Sequence, residues 1–256
     1  MITIPSSTRA RLLVALISLT LVACGGTETT TPPDSAQAAT AGVDTLMLTY
    51  ETVISPDGKT VRFQVVSDGN FVRLGNETES WRLFDTKRRM ITFVDQTAGT
   101  AREVSYDDAL AERMAMLNET DTSGTPSPSV VDGPGAPEKG HPTRRIRIDV
   151  GNFSRELVLS DDELLPREFF AMKVVTDSID PRYASIMKHV LPTLLRQTGT
   201  LLSETNELTL SEEESITAVT KLISVNTTPL APEAFRLPDG ISPTSAGEEE
   251  TSTPEE

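Results

Sequence analysis

The sequence predicts an α+β domain in which an antiparallel sheet or partial β-barrel is accompanied by one or two helices. Short segments in which apolar and polar residues alternate recur along the chain and are separated by tight-turn sequences. Two other segments carry apolar residues at the spacing of an amphipathic helix. The block from residue 43 to residue 240 is long enough for one domain with its own core.

The first predicted strands form a hairpin. A Ser-Pro-Asp-Gly turn at 55–58 separates the first strand from the alternating segment Val61 to Val65. The residues that share one face of the first strand at a period of two are Leu46, Leu48, Tyr50, Thr52 and Ile54. Further strands are predicted for FVRLG, WRLFD, MITFV, RIRIDV, FSRELVLS, PREFFAMKVV, ETNELTL and SITAVTKLISV, between residues 71 and 225.

Two segments are predicted to be helices. The first, from Ser105 to Asn118, opens with a Ser-x-x-Asp sequence typical of a capping box. The second spans residues 181 to 198 behind an Asp180-Pro181 start, and Pro192 should bend it. Its apolar residues at helical spacing are Tyr183, Ile186, Met187, Val190, Leu191, Leu194 and Leu195.

The remaining segments are predicted to lie outside regular structure. Residues 121–143 are rich in Pro, Gly and Ser, which predicts a long mobile loop within the 43–240 domain. Residues 24–42 contain Cys24 followed by small and polar residues, which predicts a disordered tether. The acidic segment 241–256 is predicted to be a disordered tail.

Residues 1–23 have the organisation of a signal peptide. Arg9 and Arg11 precede an uncharged apolar stretch, LLVALISLTLVA. A helix of that length spans about 18 Å, which is too short for a bilayer core of about 30 Å. The stretch ends in Leu-Val-Ala-Cys, which resembles the lipobox of bacterial lipoproteins. The resemblance implies cleavage before Cys24 and acylation of Cys24, for example with palmitate.

The alternative interpretation is an ordinary secretory signal with an incidental cysteine near its end. Under the lipobox interpretation, two or more acyl chains hold the protein at a membrane stably. Cys24 is the only cysteine, so an intramolecular disulfide or a Cys-rich zinc site is excluded. Gly25 rather than Asp follows Cys24, and by resemblance this favours the outer membrane, with the domain facing the periplasm.

The charge of the chain excludes one class of partner. The formal net charge is −15, and removal of residues 1–23 would make it −17 because that segment contains two arginines and no acid. Affinity for nucleic acid depends on neutralising phosphates, so a nucleic-acid partner is not expected. The sequence does not indicate an oligomeric state.

Two stretches resemble the lipoprotein-localisation proteins LolA and LolB. They are FVRLGNETESWRLFDTKRRMITFVD at 71–95 and ITAVTKLISVNTTPLAPEAFRLPDG at 216–240, where a long strand leads to Phe235, Pro238 and Gly240. The resemblance implies a half-open antiparallel β-barrel whose concave face is closed by helices. It also implies an apolar cavity that holds acyl chains. The 121–143 insertion departs from the pattern of the LolB acceptor.

No catalytic chemistry is predicted. His141 and His189 have no His or Cys partner at metal-ligand spacing, and no G-x-S-x-G elbow is present. No metal, cofactor or enzymatic activity is therefore expected. The basic residues Lys87, Arg88, Arg89, Arg144, Arg145, Arg147 and Arg155 either belong to a solvated sheet face or form a patch for anionic lipid headgroups.

The sequence therefore supports two hypotheses for function. In the first, a lipid-anchored envelope protein binds an acyl chain or a lipoprotein without catalysis. In the second, a sensor or protein-interaction module has a filled core. The residues predicted to line an apolar ligand site, which in such a fold can equally be core, are Trp81, Phe84, Phe93, Ile186, Val190 and Leu194. An apolar channel would favour the first hypothesis, and filling by side chains would favour the second.

Acylation at Cys24 can be tested directly. In a bacterial host given an alkyne-labelled palmitate, the wild-type protein should be labelled and Cys24→Ser should not, because the thiol is the predicted attachment site. Equal labelling of both proteins would contradict the lipobox interpretation.

Overall fold

The computed structural model describes residues 43–75, 80–177, 179, 183–211, 214–230 and 232–245. The predicted signal peptide, Cys24 and the tether lie outside these residues, as do Asp180, Pro181 and residues 246–256 of the predicted tail. No helix in the described part of the chain is long and apolar enough to span a bilayer.

The described residues form one large sheet, three α-helices and a short 3-10 turn. The strands are β1 Val43–Ser55, β2 Lys59–Ser67, β3 Phe71–Gly75, β4 Ser80–Asp85, β5 Met90–Asp95, β6 Thr100–Ser105, β7 Ser129–Pro134, β8 Thr143–Val150, β9 Phe153–Ser160, β10 Thr200–Ser211, β11 Glu214–Leu230 and β12 Pro243–Ser245. The helices are α1 Tyr106–Asn118, α2 Phe169–Thr176 and α3 Ala184–Leu194, and the 3-10 turn is Pro232–Phe235.

The sheet is open rather than closed into a barrel. Its strand order is β12-β6-β5-β4-β3-β2-β1-β11-β10-β9-β8-β7, and the pairings are antiparallel except for the parallel pair of β12 with β6. The α+β class and the antiparallel sheet are therefore confirmed, whereas a barrel is not formed. The expectation of one or two helices is corrected to three in the described residues.

The two predicted helices are present, with altered bounds for the second. Ser105 caps α1, because its hydroxyl oxygen accepts a hydrogen bond from the backbone N–H of Asp108 at 3.0 Å. The second helix is described from Ala184 to Leu194, shorter than the predicted 181–198, and it contains Pro192.

The predicted strand PREFFAMKVV is instead a helix, α2. Five of its eight residues are buried, and the buried set follows no period of two. A short continuous apolar run fits a buried strand and a buried helix equally well, so periodicity alone did not distinguish them. Contacts with α1 and α3 make the helix the favourable choice because they cover its apolar surface.

Two predicted irregular segments contribute strands. Residues 129–134, within the expected mobile loop, form β7 and pair with β8 over their whole length. Residues 243–245, within the expected disordered tail, form β12 along β6. In both places backbone pairing at a sheet edge overrides a local composition that is poor in strand formers.

Each face of the sheet carries its own hydrophobic cluster. The face that packs against the helices, here called the inner face, contributes to the main core together with α2 and α3. The opposite outer face carries a smaller cluster on which the C-terminal segment packs. Its buried members are Val66, Trp81, Leu83, Val94, Ala101 and Phe235. Arg73 joins this segment to the sheet by donating a hydrogen bond to the carbonyl of Ala234 at 2.8 Å.

The inner-face core should dominate stability. Leu194 is fully buried on α3, so Leu194→Ala should lower the free energy of unfolding by about 2 to 5 kcal/mol, because burial is lost and a cavity is left. The matched control Leu210→Ala removes a side chain that is 41% exposed on β10 and should change it by less than about 0.5 kcal/mol. Urea unfolding followed by circular dichroism measures both, and equal effects would contradict this assignment of the core.

Candidate functional site

A cleft opens where the inner face of the sheet meets the first two helices. It has a volume of about 200 Å³ and lies between β5, β6, α1 and α2. Its lining residues are Phe93, Arg102, Val104, Ala109, Glu112, Arg113, Met116, Val175 and Thr176. Five of the lining residues are apolar, and the charged ones are Arg102, Glu112 and Arg113.

Strand register places one aromatic side chain between two arginines. In the antiparallel ladder, Phe93 on β5 lies opposite Arg82 on β4 and opposite Arg102 on β6. Paired residues share a face of the sheet, so this row runs across the inner face. Arg102 is exposed and pairs with Glu112 on α1, with Nη2 to Oε1 at 3.0 Å.

A third arginine joins α1 to the end of α2. Arg113 donates hydrogen bonds from Nε and Nη2 to the carbonyl of Val175 at 3.0 and 2.8 Å, and a further one from Nη2 to the carbonyl of Asp177. These carbonyls lie at the C-terminal end of α2, where a cation is favourable. Burial lowers the pKa of Arg113, and the negative charge of Asp177 opposes that effect.

Asp177 is the carboxylate at the centre of this junction. It accepts hydrogen bonds from Lys173 Nζ at 2.6 Å and from Arg82 Nη1 at 3.1 Å. Burial acts to raise the pKa of Asp177, but the charges and hydrogen bonds of Lys173 and Arg82 outweigh burial, so the pKa lies below its ordinary value. Asp177 therefore ties α2 to strand β4 through a charge-assisted contact.

The space beneath the rest of α2 is almost filled. A void of about 20 Å³, with room for one water molecule at most, remains between α2 and the β1–β2 hairpin. Its lining residues are Tyr50, Phe63, Val65, Leu165, Phe169, Phe170, Lys173, Gly199 and Leu201. The cleft touches the C-terminal end of α2 and this void touches its N-terminal part, so α2 separates the two spaces.

The sequence-predicted ligand residues do not form a single wall. Phe84 is fully buried and packs edge to face on Phe169, with ring centroids 5.1 Å apart. Val190 and Leu194 are also fully buried, and Ile186 is partly buried against the same core. Of the six predicted residues, Phe93 lines the cleft.

Trp81 is separated from the other five predicted residues. It points to the outer face, where it belongs to the C-terminal cluster and Arg73 stands 5.9 Å from its ring centroid. The reason is strand alternation, because residues 81 and 84 of β4 differ by an odd number of positions and therefore lie on opposite faces.

The basic residues singled out in the sequence do not form one patch. Arg89 pairs with Asp107, Arg147 pairs with Asp149, and Arg155 is buried against Glu204 at 2.7 Å. His141 pairs with Asp162, with Nδ1 to Oδ2 at 2.5 Å. Among the described residues, no group of three or more His, Cys, Asp or Glu side chains is arranged to hold a metal ion.

Sequence reasoning missed the two arginines that line the cleft, Arg102 and Arg113, and Arg82 of the adjoining Asp177 junction. The strand pattern contained a usable signal, because Arg82 shares the face of Phe84 and Arg102 shares the face of Val104. An arginine on the apolar face of a strand is unusual and marks an ion pair or a site. For Arg113, the contact with α2 was not predictable because α2 was expected to be a strand.

Comparisons with known proteins give structural neighbours at low identity. No family model matches the chain, and no curated protein matches it. The chain is similar to PNGF-II solved in the C2 and P21 space groups, with 12% and 11% sequence identity and TM-scores of 0.44 and 0.43. These matches cover 79% of this chain but 31% and 32% of PNGF-II, so the chain spans about a third of that protein.

A member of the LolA superfamily is also a structural neighbour. It is NE2245 from Nitrosomonas europaea, with 11% identity and a TM-score of 0.30, and the match covers 76% of this chain and 91% of that chain.

The junction at Asp177 should make stability dependent on pH. Because the folded-state pKa is lowered, the contribution is fully present above the unfolded value of about 3.9 and is lost as pH falls through the folded pKa. Asp177→Asn should cost about 2 kcal/mol at neutral pH, and this deficit should shrink below about pH 4. Urea unfolding across pH measures the difference, with Asp107→Asn, an exposed pair with Arg89, as control. A deficit independent of pH would contradict the role of this carboxylate.

Proposed function

We propose that this protein is a lipid-anchored envelope protein that binds the apolar chain of a lipid or lipoprotein without catalysis. The observation that carries the proposal is the apolar cleft beside α2 on the inner face of an open sheet. Acyl chains on Cys24 would hold the domain at the outer membrane, on its periplasmic side.

The cleft accommodates part of a chain. Its volume of about 200 Å³ is below the range of about 300 to 1,000 Å³ typical of small-molecule sites. Phe93, Val104 and Met116 offer apolar surface, and each methylene removed from water contributes about 0.8 kcal/mol. The end of an acyl chain therefore fits the cleft, whereas a complete chain needs more space.

A shift of α2 would supply that space. The helix lies between the cleft and the void beneath it, so its displacement would join them into one path across the inner face, from β5 and β6 to β1 and β2. Two arginines of other elements hold its C-terminal end, Arg82 of β4 through the Asp177 carboxylate and Arg113 of α1 through the carbonyls of Val175 and Asp177. Lys173 pairs with Asp177 within the same helical segment. The side chains of Arg82, Lys173 and Asp177 are only 13 to 18% exposed, so these contacts anchor the C-terminal end of α2 and the proposed displacement would leave that end in place.

A LolA-like organisation is part of the proposal. Residues 71–95, which resemble LolA and LolB in sequence, are the β3, β4 and β5 region, and residues 216–240 comprise most of the long strand β11 and the segment with Phe235. Both stretches belong to the large open sheet and the segment that packs on it, which supports the proposal. An open sheet with helices on one face supports the same interpretation.

A protein-interaction module is the second candidate. The near-complete filling beneath α2 favours it, since a void of about 20 Å³ holds no ligand. Strand β7 also exposes Val130 and Val131, by 44% and 63%, at a terminal position in the sheet. Such a strand can pair with an extended segment of another protein.

Blocking the cleft separates the two candidates. Ala109 on α1 lines it, so Ala109→Phe should fill the space and weaken binding of the fluorescent fatty acid dansyl-undecanoate by about tenfold or more. The control Ala111→Phe places the same side chain at an exposed position of the same helix and should bind like wild type. Fluorescence titration measures both, and circular dichroism checks folding.

Absence of probe binding to the wild type at micromolar concentration would overturn the lipid-binding proposal and favour the interaction module. Equal binding by wild type, Ala109→Phe and Ala111→Phe would show that chains bind elsewhere.

A further inference from the structure

We infer that the cleft selects amphiphiles that carry a carboxylate or phosphate headgroup over neutral or cationic ones of the same chain length. The inference rests on the proposed function, because it concerns the ligand class of the same cleft. It is carried by the arrangement of charges around Phe93.

The local charge has the opposite sign to that of the whole chain. Among the described residues at the cleft and the α2 junction, the cations Arg82, Arg102, Arg113 and Lys173 face the carboxylates Glu112 and Asp177. The formal excess is two positive charges, in a protein with a net charge of −15. Of the side chains that line the cleft itself, Arg102 and Arg113 are cations and Glu112 is a carboxylate, which leaves a formal excess of one positive charge.

The geometry places charge at the rim and apolar surface at the floor. Arg102 is 47% exposed, while Phe93 and Val104 beside it on the inner face are more buried. An amphiphile whose methylenes next to the headgroup lie on Phe93 and Val104 therefore brings that headgroup to the level of the Arg102 guanidinium. Each guanidinium presents a planar set of donors that matches a carboxylate or phosphate.

The rim pair can be exchanged for a ligand. Arg102 and Glu112 are both substantially exposed, and such pairs contribute little to stability because water screens them. A headgroup that displaces Glu112 from Arg102 gains a charge-assisted contact and costs little protein stability. Asp177, in contrast, has two cationic partners and stays in place to hold α2.

A cationic headgroup would be repelled by the arginines of the cleft. It would lie near Arg102 and Arg113, with Glu112 already paired, so like charges oppose its approach. A neutral headgroup would have to displace the same ion pair without replacing the charge contact. The site therefore discriminates between ligands by the charge of the headgroup.

The test compares four surfactant-like ligands of equal chain length below their critical micelle concentrations. They are dodecanoate, dodecyl phosphate, dodecanol and dodecyltrimethylammonium, each added to displace the neutral fluorophore N-phenyl-1-naphthylamine from the wild-type protein. The two anions should bind about tenfold more tightly than dodecanol, since a charge-assisted hydrogen bond is at stake. The preference should decrease with added salt.

Substitution at the exposed arginine keeps the fold and removes the preference. Arg102→Gln and Arg102→Glu should lose about tenfold in affinity for the anions and leave that for dodecanol unchanged. Arg62→Glu is the control: it gives the same change of net charge as Arg102→Glu, at an exposed arginine of β2 paired with Glu51. It should keep the preference.

The outcomes distinguish failure of this inference from failure of the proposed function. If none of the four ligands displaces the fluorophore, the lipid-binding proposal fails and this inference fails with it. If all four bind equally, chain binding stands and headgroup selection is overturned. If inorganic phosphate alone displaces dodecanoate while dodecanol does not bind, the arginines form a site for free anions, which also overturns the inference.

Discussion

The structure depends on covering one apolar face of a long open sheet. Inner-face residues of β1, β2 and β9 are almost entirely removed from water, and short helices do most of the covering. Such helices are marginal on their own, so α2 and α3 exist because their apolar sides pack against the sheet. Sheet and helices therefore stabilise each other. A ligand of the inner face that is larger than the cleft must replace contacts that a helix already makes, which ties its binding to movement of the helices.

Polar side chains on the same face have to pair with each other. Arg155 and Asn206 both contact Glu204 at 2.7 Å, and Thr52 and Thr220 share a hydrogen bond of 2.8 Å. Arg155 and Glu204 join β9 to β10, and Thr52 and Thr220 join β1 to β11, so a one-residue slip within either strand pair would separate these partners. Buried charges contribute little net stability but are costly to leave unpaired. They therefore act together with the buried apolar residues in specifying strand register.

The strands β1, β2 and β8 were predictable because one face is buried and the other is more exposed to solvent, so apolar and polar residues alternate in the sequence. Helix α2 was not predictable, because it is buried on most sides and its apolar residues therefore show no helical periodicity. Strand β12 forms by pairing with β6, which is far from it in the sequence. Strand β7 forms by pairing with β8 although it lies in a segment rich in Pro and Gly. For the cleft, Phe93 was identified, but Arg82 and Arg102 become its neighbours through strand register, which local sequence does not reveal. The error for Trp81 was avoidable, because residues 81 and 84 are an odd number of positions apart on one strand and alternation alone puts them on opposite faces.

A filled inner face is compatible with a protein that holds a lipid briefly. A chain that lifts α2 gains about 0.8 kcal/mol for each methylene it buries, but the five buried side chains of α2 lose part of their own burial, at up to about 1.5 to 3 kcal/mol each. The two terms are of similar size and opposite sign, so the net affinity is much weaker than the buried area suggests. Contacts that do not compete with α2 then decide which ligand is kept. In the proposed function, the exposed guanidinium of Arg102 at the cleft rim is such a contact, because a headgroup bound there would not compete with the packing of α2.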